Sequence, residues 1–192
     1  KNDLMAEEFD WHGTCEAAVA TGGCQAVIVM DVHGAMHYSL PLGDDGNFQY
    51  YVYGGEYAYE GAVTQEDGSE GTEVIDEAAN LVLLLTGKKS SIPRGQGIRI
   101  NQEKYMHLQT LKEGQTFKVT FDPDAGDEGV ADVTFDEVHV LKKGTKGAVV
   151  CLKGEYAIIA LHDCENPLQQ PPHASAAAAV VAYWAVGPDP EE

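Results

Sequence analysis

Hydrophobic positions recur at two different spacings along the chain, and each spacing predicts a kind of element. Apolar residues at helical spacing predict a first helix over residues 7–20, with Asp10 as a suitable cap. A threonine start, early acids and an apolar stripe predict a second helix over residues 72–85, ended by Gly87. An alanine-rich run predicts a third helix over residues 174–186.

Short apolar or alternating runs predict strands. Residues 25–30 and 35–40 flank a turn and predict a hairpin. From residue 97 onward the runs GIRI, KYMHLQTL, KVTF, DVTFDEVHVL, AVVCL and YAIIAL precede the last helix. This order predicts an α+β fold: a central antiparallel sheet with the N- and C-terminal helices packed on one face.

Two acidic segments interrupt this order. Residues 43–73 are rich in Gly, Tyr and acids and predict a long acidic loop, with a short strand at YYVY. Residues 112–141 predict an extra β-hairpin around the acidic turn DPDAGDEG. We expect one domain over residues 10–187, a flexible N-terminus before it and an acidic tail over 188–192. Because KNDL precedes Met5, residues 1–4 are expected to be a tag remnant.

The charge balance narrows the possible partners. The formal net charge of −19 argues against nucleic-acid binding and against strong phosphoinositide binding, because phosphates would be repelled. However, 11 of the 12 Lys and Arg residues lie between Lys88 and Lys153, whereas residues 1–87 hold 16 acids and only Lys1. An acidic protein partner would therefore bind to residues 88–153, which carry the cations.

No motif predicts catalysis. The four cysteines form no CxxC pair, which favours reduced thiols in a cytosolic protein, and no apolar run or signal peptide predicts a membrane segment. The run His162-Asp163-Cys164 cannot converge on one metal or substrate, since neighbouring side chains on a strand alternate between faces. DPDAGDEG lacks the closing Glu of a calcium loop. We predict no enzymatic activity, no cofactor and no metal site.

Five segments in order resemble the profilin family. They are Trp11 in the first helix, QAVIVMDVHGAMHYSLP at 25–41, GIRINQEKYMHLQ at 97–109, LKKGTKGAVVCLKGEYAIIALHD at 141–163, and Tyr183-Trp184 in the last helix. The resemblance is nearest to the alveolate, or apicomplexan-type, profilins, which also carry an acidic insertion and an extra hairpin. The chain departs from the pattern where Asn101, Gln102 and Glu103 stand at expected glycines, and where Thr14 and His37 replace aromatics.

The resemblance implies binding of monomeric actin, in the cytoplasm and its cytoskeleton, by a protein that is itself a monomer. The family's actin-binding face maps onto residues 104–109, 142–148, 162–165 and 173–176. The residues expected to carry this binding are Lys104, Tyr105, His107, Lys142, Lys143, Lys146, His162 and His173. Since actin is acidic, the three lysines of the loop would mostly raise the rate of association.

The resemblance also implies a groove between the first and last helices for proline-rich proteins such as formins. Its expected residues are Trp11, His37, Tyr183 and Trp184. Aromatic rings suit polyproline II ligands, which are stiff and carry no internal hydrogen bonds. Because Thr14 and His37 stand where the family pattern has aromatic residues, we expect the binding of proline-rich ligands to be weak or absent.

The sequence is also compatible with a protein of a different functional class. The same order of elements fits a roadblock- or longin-like scaffold that regulates a small GTPase or assembles a complex. Such a scaffold needs an exposed strand edge or a helix pair that forms a dimer. A monomer in light scattering would count against it.

Overall fold

The protein is built around antiparallel strands, as seen in a computed structural model that describes residues 9–190, apart from the side chains of residues 113 and 114. The strands are β1 (Ala26–Asp31), β2 (Met36–Leu40), β3 (Tyr59–Thr64), β4 (Glu70–Ile75), β5 (Ile98–Ile100), β6 (Glu103–Thr120), β7 (Val130–Lys143), β8 (Lys146–Lys153) and β9 (Tyr156–Asp163). The α-helices are α1 (Trp11–Ala20), α2 (Glu77–Leu85) and α3 (Pro171–Ala185). Short 3₁₀ turns span Gly55–Tyr57, Lys89–Ser91 and Pro123–Gly129.

Seven of the strands form one sheet, in the order β2-β1-β9-β8-β7-β6-β5, and β3 pairs with β4 separately. Helices α1 and α3 cover one face, where their alanines and Cys15 pack on Val29, Val149 and Ile158. Helix α2 covers the other face, where Leu81 packs in the cluster that includes Ile28. The predicted α+β fold with both end helices on one face of an antiparallel sheet is confirmed.

The helix ends follow local chemistry. Asp10 caps α1 by accepting a hydrogen bond from the Gly13 N–H at 2.9 Å, as predicted. Helix α3 begins at Pro171 rather than at residue 174, since a proline in the first turn has no N–H to leave unpaired. The predicted start of the second helix at residue 72 is wrong: Asp76 caps α2 through the Ala79 N–H at 2.8 Å.

The acidic insertion is more ordered than the sequence predicted. Residues 59–75 form the β3–β4 hairpin, in which Thr72 pairs with Ala62, so the β-branched run before Asp76 is strand and not helix. The predicted strand at residues 50–53 is wrong, since this segment pairs with no strand of either sheet. Arg99 Nη2 joins the hairpin to β5 by donating to the Ala62 carbonyl at 2.6 Å.

The extra hairpin is a continuation of the central sheet. The two strands predicted at 104–111 and 118–121 are one strand, β6, which pairs along β7 with two irregularities in register. Val119, Val133 and Phe135 lie in the core that α3 covers, so the hairpin packs against the body of the domain. The acidic turn contributes the 3₁₀ segment Pro123–Gly129.

The described residues begin at residue 9 and end at residue 190, within the predicted N-terminus and the predicted acidic tail. The expected tag remnant and most of the flexible N-terminus lie outside the described residues. The described part of the acidic tail is held in place: the Asp189 N–H donates to the Asp132 carbonyl at 2.9 Å. Lys153 Nζ donates to Asp189 Oδ1 at 2.6 Å, and the Thr134 hydroxyl donates to its other carboxylate oxygen.

Candidate functional site

Antiparallel pairing gathers several predicted residues at one end of the sheet. Lys143 pairs with Lys146 across the β7–β8 turn, and Lys146 pairs with Asp163 at the end of β9. The β5–β6 turn, which ends at Glu103, lies at the same end, because Glu103 contacts both lysines. The segments predicted from residues 97–109 and 141–163 therefore meet in space.

The lysine rim, defined as Lys142, Lys143 and Lys146, is exposed to solvent. Its charge is partly compensated by Glu103, whose carboxylate lies 3.3 Å from Lys143 Nζ and 2.5 Å from Lys146 Nζ. The hydrogen bond from Lys146 is the main cause of a lowered pKa of Glu103. Glu103 is thus an anion that joins two cations, while Lys142 forms no ion pair with any described residue.

Two exposed apolar side chains lie beside the rim. Met106 is 68% exposed and pairs across the strands with Lys142, and Leu108 is 51% exposed. The resemblance covered these positions only as part of a range and gave them no role. Their signal in the sequence is weak, because an apolar residue in a strand usually predicts core. An exposed apolar pair edged by lysines has the composition of a protein interface, in which charges surround an apolar centre.

The remaining predicted actin contacts fall into two groups. Lys104 and His173 are exposed, and Lys104 Nζ donates to the Gly95 carbonyl at 2.5 Å. Tyr105 and His162 are 7% and 2% exposed, so they lie beneath this surface and could only support it. His162 packs so closely on Gly147 that a Cβ atom there would come within 2.2 Å of its ring.

His107 belongs to a chain of polar contacts along β6 and β7. Lys89 Nζ donates to His107 Nδ1 at 2.9 Å, and Thr110 Oγ1 lies 3.0 Å from both His107 Nε2 and His139 Nδ1. His139 Nε2 in turn lies 3.2 Å from a carboxylate oxygen of Glu137. Burial lowers the pKa of both histidines, so both are neutral at physiological pH.

The aromatic residues predicted for the proline-rich groove are divided between two groups. Trp11 packs with His37 and Tyr156 at centroid distances of 5.5 and 5.4 Å, and Tyr156 was not among the predicted residues. Tyr183 instead stacks on Phe121 of the extra hairpin at 5.1 Å, with the rings 9° from parallel. Trp184 is 50% exposed and meets Tyr183 edge-on. Trp11 and Tyr183 therefore have different ring partners.

Two of the three residues at the expected glycines have a backbone conformation that favours glycine. Asn101 and Gln102 have φ of 53° and 65°, a left-handed region that few residues other than glycine adopt. Asn101 compensates through its side chain, whose Oδ1 accepts from the Tyr51 N–H at 3.1 Å. At these two positions the chain departs from the profilin pattern in residue type, while its backbone adopts a conformation that favours glycine.

The four cysteines are free thiols, of which Cys15, Cys24 and Cys151 are buried and Cys164 is partly exposed. In the described part of the chain, no helix is both long and apolar enough to cross a bilayer. No protein-family model matches the chain, and neither does any curated protein.

Proposed function

We propose that the protein binds monomeric actin through the lysine rim and the adjoining Met106 and Leu108, and that it thereby regulates filament assembly in the cytoplasm. The observation that carries the proposal is the meeting of cations and exposed apolar side chains at one end of the sheet. This end is also where the resemblance to profilins places the actin contacts. The protein would act as a monomer and without catalysis.

The electrostatics of the chain support this choice of surface. An acidic partner is repelled by most of a protein whose net charge is −19, so attraction must come from a local group of cations. The lysine rim supplies such a group. Charges of this kind accelerate encounter, and the buried apolar contacts then set the lifetime of the complex.

The backbone at Asn101 and Gln102 supports the family resemblance independently of residue identity. Both residues adopt positive φ where the profilin pattern has glycine. Such conformations cost about 1 kcal/mol or more for other residues, so their presence reflects a turn that the fold requires. A profilin-like turn is the simplest reason for it.

Weak binding of proline-rich partners is a second part of the proposal. The group formed by Trp11, His37 and Tyr156 offers rings on the side of the sheet that α1 covers. Because Tyr183 stacks on Phe121, it would not be available to the same ligand without rearrangement. Affinity there is expected to be low.

A titration of fluorescently labelled actin monomer tests the proposal. We expect a one-to-one complex with the wild type, and about tenfold weaker binding for the double variant Lys142→Glu/Lys146→Glu. The matched control is Lys112→Glu/Lys118→Glu, which changes the net charge equally at two exposed lysines of β6. Equal weakening by both variants, or no binding by the wild type at roughly 50 μM, would overturn the proposal.

A further inference from the structure

A large groove lies away from the lysine rim, where the acidic insertion meets the β1–β2 turn. It has a volume of about 670 Å³, within the usual range for ligand sites. We name it the tyrosine groove and define it by Met36, Phe48, Tyr51, Tyr53 and Tyr57. We propose that it binds an extended, proline-rich and basic segment of a partner protein. This inference does not depend on actin binding.

Alternation along residues 50–53 creates the row of rings. Val52 is buried, and both Val52 and Tyr50 pack into the core beneath α2. The partly buried Tyr51 and Tyr53 line the groove, and Val52 contributes to its floor. The ring centroids of Phe48 and Tyr51 are 6.0 Å apart, and those of Tyr51 and Tyr53 are 5.3 Å apart. A polyproline II helix presents the same face every three residues, about 9.3 Å, so one turn of such a ligand extends over more than one ring of the row.

The row is pre-organised, because its backbone is already hydrogen-bonded. Tyr51 exchanges hydrogen bonds with Asn101, through its N–H at 3.1 Å and its carbonyl at 2.9 Å. The Tyr53 N–H donates to Glu77 Oε2 at 3.2 Å, and its carbonyl accepts from the Ala78 N–H at 3.1 Å. A rigid row of rings loses little conformational freedom when a ligand binds.

The same bonds decide the kind of ligand. A peptide that added to residues 51–53 as a β-strand would need their N–H and carbonyl groups, and those of Tyr51 and Tyr53 are occupied. A polyproline II segment needs no such row of backbone hydrogen bonds, because aromatic rings contact its prolines from the side. Within residues 9–190 the hydroxyls of Tyr51, Tyr53 and Tyr57 form no hydrogen bond, so they are free to donate to ligand carbonyls.

Charge indicates a basic ligand. Residues 2–87 contain no Lys or Arg, so the whole segment that forms the groove is without cations. Glu56 lies within the 3₁₀ turn that carries Tyr57, and Asp44 and Asp45 precede Phe48 by a few residues. Arginines beside the prolines would be attracted by these acids and could stack on exposed rings. An acidic ligand would be repelled.

The test uses three synthetic peptides and the full chain. The probe has eight prolines flanked by two arginines at each end, and its partners replace the arginines by glutamates or the prolines by alternating Gly and Ser. Binding is followed by amide chemical shifts and by calorimetry. We expect the first peptide to bind at least fivefold more tightly than either of the others. Equal binding of the Gly-Ser peptide would mean attraction by charge alone and would overturn the inference.

Two variants locate the site. Tyr57→Ser removes a ring that is 69% exposed, so the fold is expected to survive, and Tyr53→Ser removes the ring at one end of the row. Each should weaken the first peptide at least fivefold while leaving the actin titration unchanged. The matched control is Leu168→Ser, which removes an apolar side chain that is also 69% exposed but lies outside the groove, and it should not affect this binding. The inference is wrong if Trp11→Ser in the helix-side aromatic group abolishes peptide binding and the two tyrosine variants do not.

Discussion

The substitution Glu77→Gln probes the residue that holds the acidic insertion to the domain. Glu77 is fully buried, and its carboxylate accepts three hydrogen bonds. The donors are the Tyr53 N–H at 3.2 Å, the Tyr59 hydroxyl at 2.8 Å and the Gln102 N–H at 2.7 Å. One side chain thus joins the tyrosine groove, the β3–β4 hairpin and the β5–β6 turn.

The expected loss of folding stability follows from the geometry of these donors. Tyr59 and Gln102 donate to Oε1 and Tyr53 donates to Oε2, so a carboxamide can accept on one side only. Placing its oxygen toward Tyr59 and Gln102 sets its NH₂ group against the Tyr53 N–H. At least one buried donor then lacks a partner, and such a loss costs about 1–3 kcal/mol.

The pH dependence of this cost has a definite sign. Burial raises the pKa of Glu77 above the ordinary 4.5, although the three donated hydrogen bonds oppose the shift. The folded chain therefore keeps this proton to a higher pH than the unfolded chain does. The wild type loses stability as the pH rises through the folded-state pKa, and the Gln variant does not. The cost of the substitution should shrink as the pH rises.

Urea unfolding followed by circular dichroism measures the cost, with Glu60→Gln as the control at an exposed position of β3. Hydrogen exchange adds a local readout, since the Tyr53 amide should exchange faster in the variant. A loss below about 0.5 kcal/mol, the scale of ordinary surface changes, would refute the argument. Unchanged protection of the Tyr53 amide would refute it equally.

Three further predictions concern other parts of the domain. Glu103→Gln removes the anion between two rim lysines, so association with actin should become about two- to fivefold faster at low salt, and a stopped-flow rate equal to that of the wild type would contradict this. Phe135→Ala should lower the free energy of unfolding by about 3–5 kcal/mol in urea, because the side chain is fully buried in the core that α3 covers. The control Thr120→Ala, at an exposed position, should lower it little. Similar losses in both variants would show that the hairpin is not part of the core. Burial lowers the pKa of His139 below 6.5, so the wild type should lose stability as the pH falls below about 6.5. The variant His139→Gln should lose less. Identical profiles of unfolding free energy against pH would disprove a role for this residue.

Local pattern predicted most of the sheet and the end helices, because buried strands and amphipathic helices differ in period. It failed at residues 72–75, where the spacing Thr72, Val74 suits a strand and Ile75, Ala78 suits a helix. Asp76 resolves the ambiguity by capping α2, but a capping acid and an early helical acid look the same in sequence.

The site was harder to predict, because its geometry depends on distant contacts. Glu77 resembles an ordinary acid in the first turn of a helix, and only the fold brings Tyr53 and Gln102 to it. Tyr183 was assigned to a groove with Trp11, yet Phe121 of the extra hairpin stacks on it. The run YYVY signals a concentration of aromatic rings, but only the structure shows that Val52 is buried and that Tyr51 and Tyr53 line one groove.

Hydrogen exchange of the chain in complex with saturating actin monomer tests the central proposal most directly. The account predicts slower exchange in residues 104–109 and 142–148, with little change in residues 48–57 of the tyrosine groove. Failure to form a complex at roughly 50 μM would contradict it. So would protection confined to segments other than those at the lysine rim.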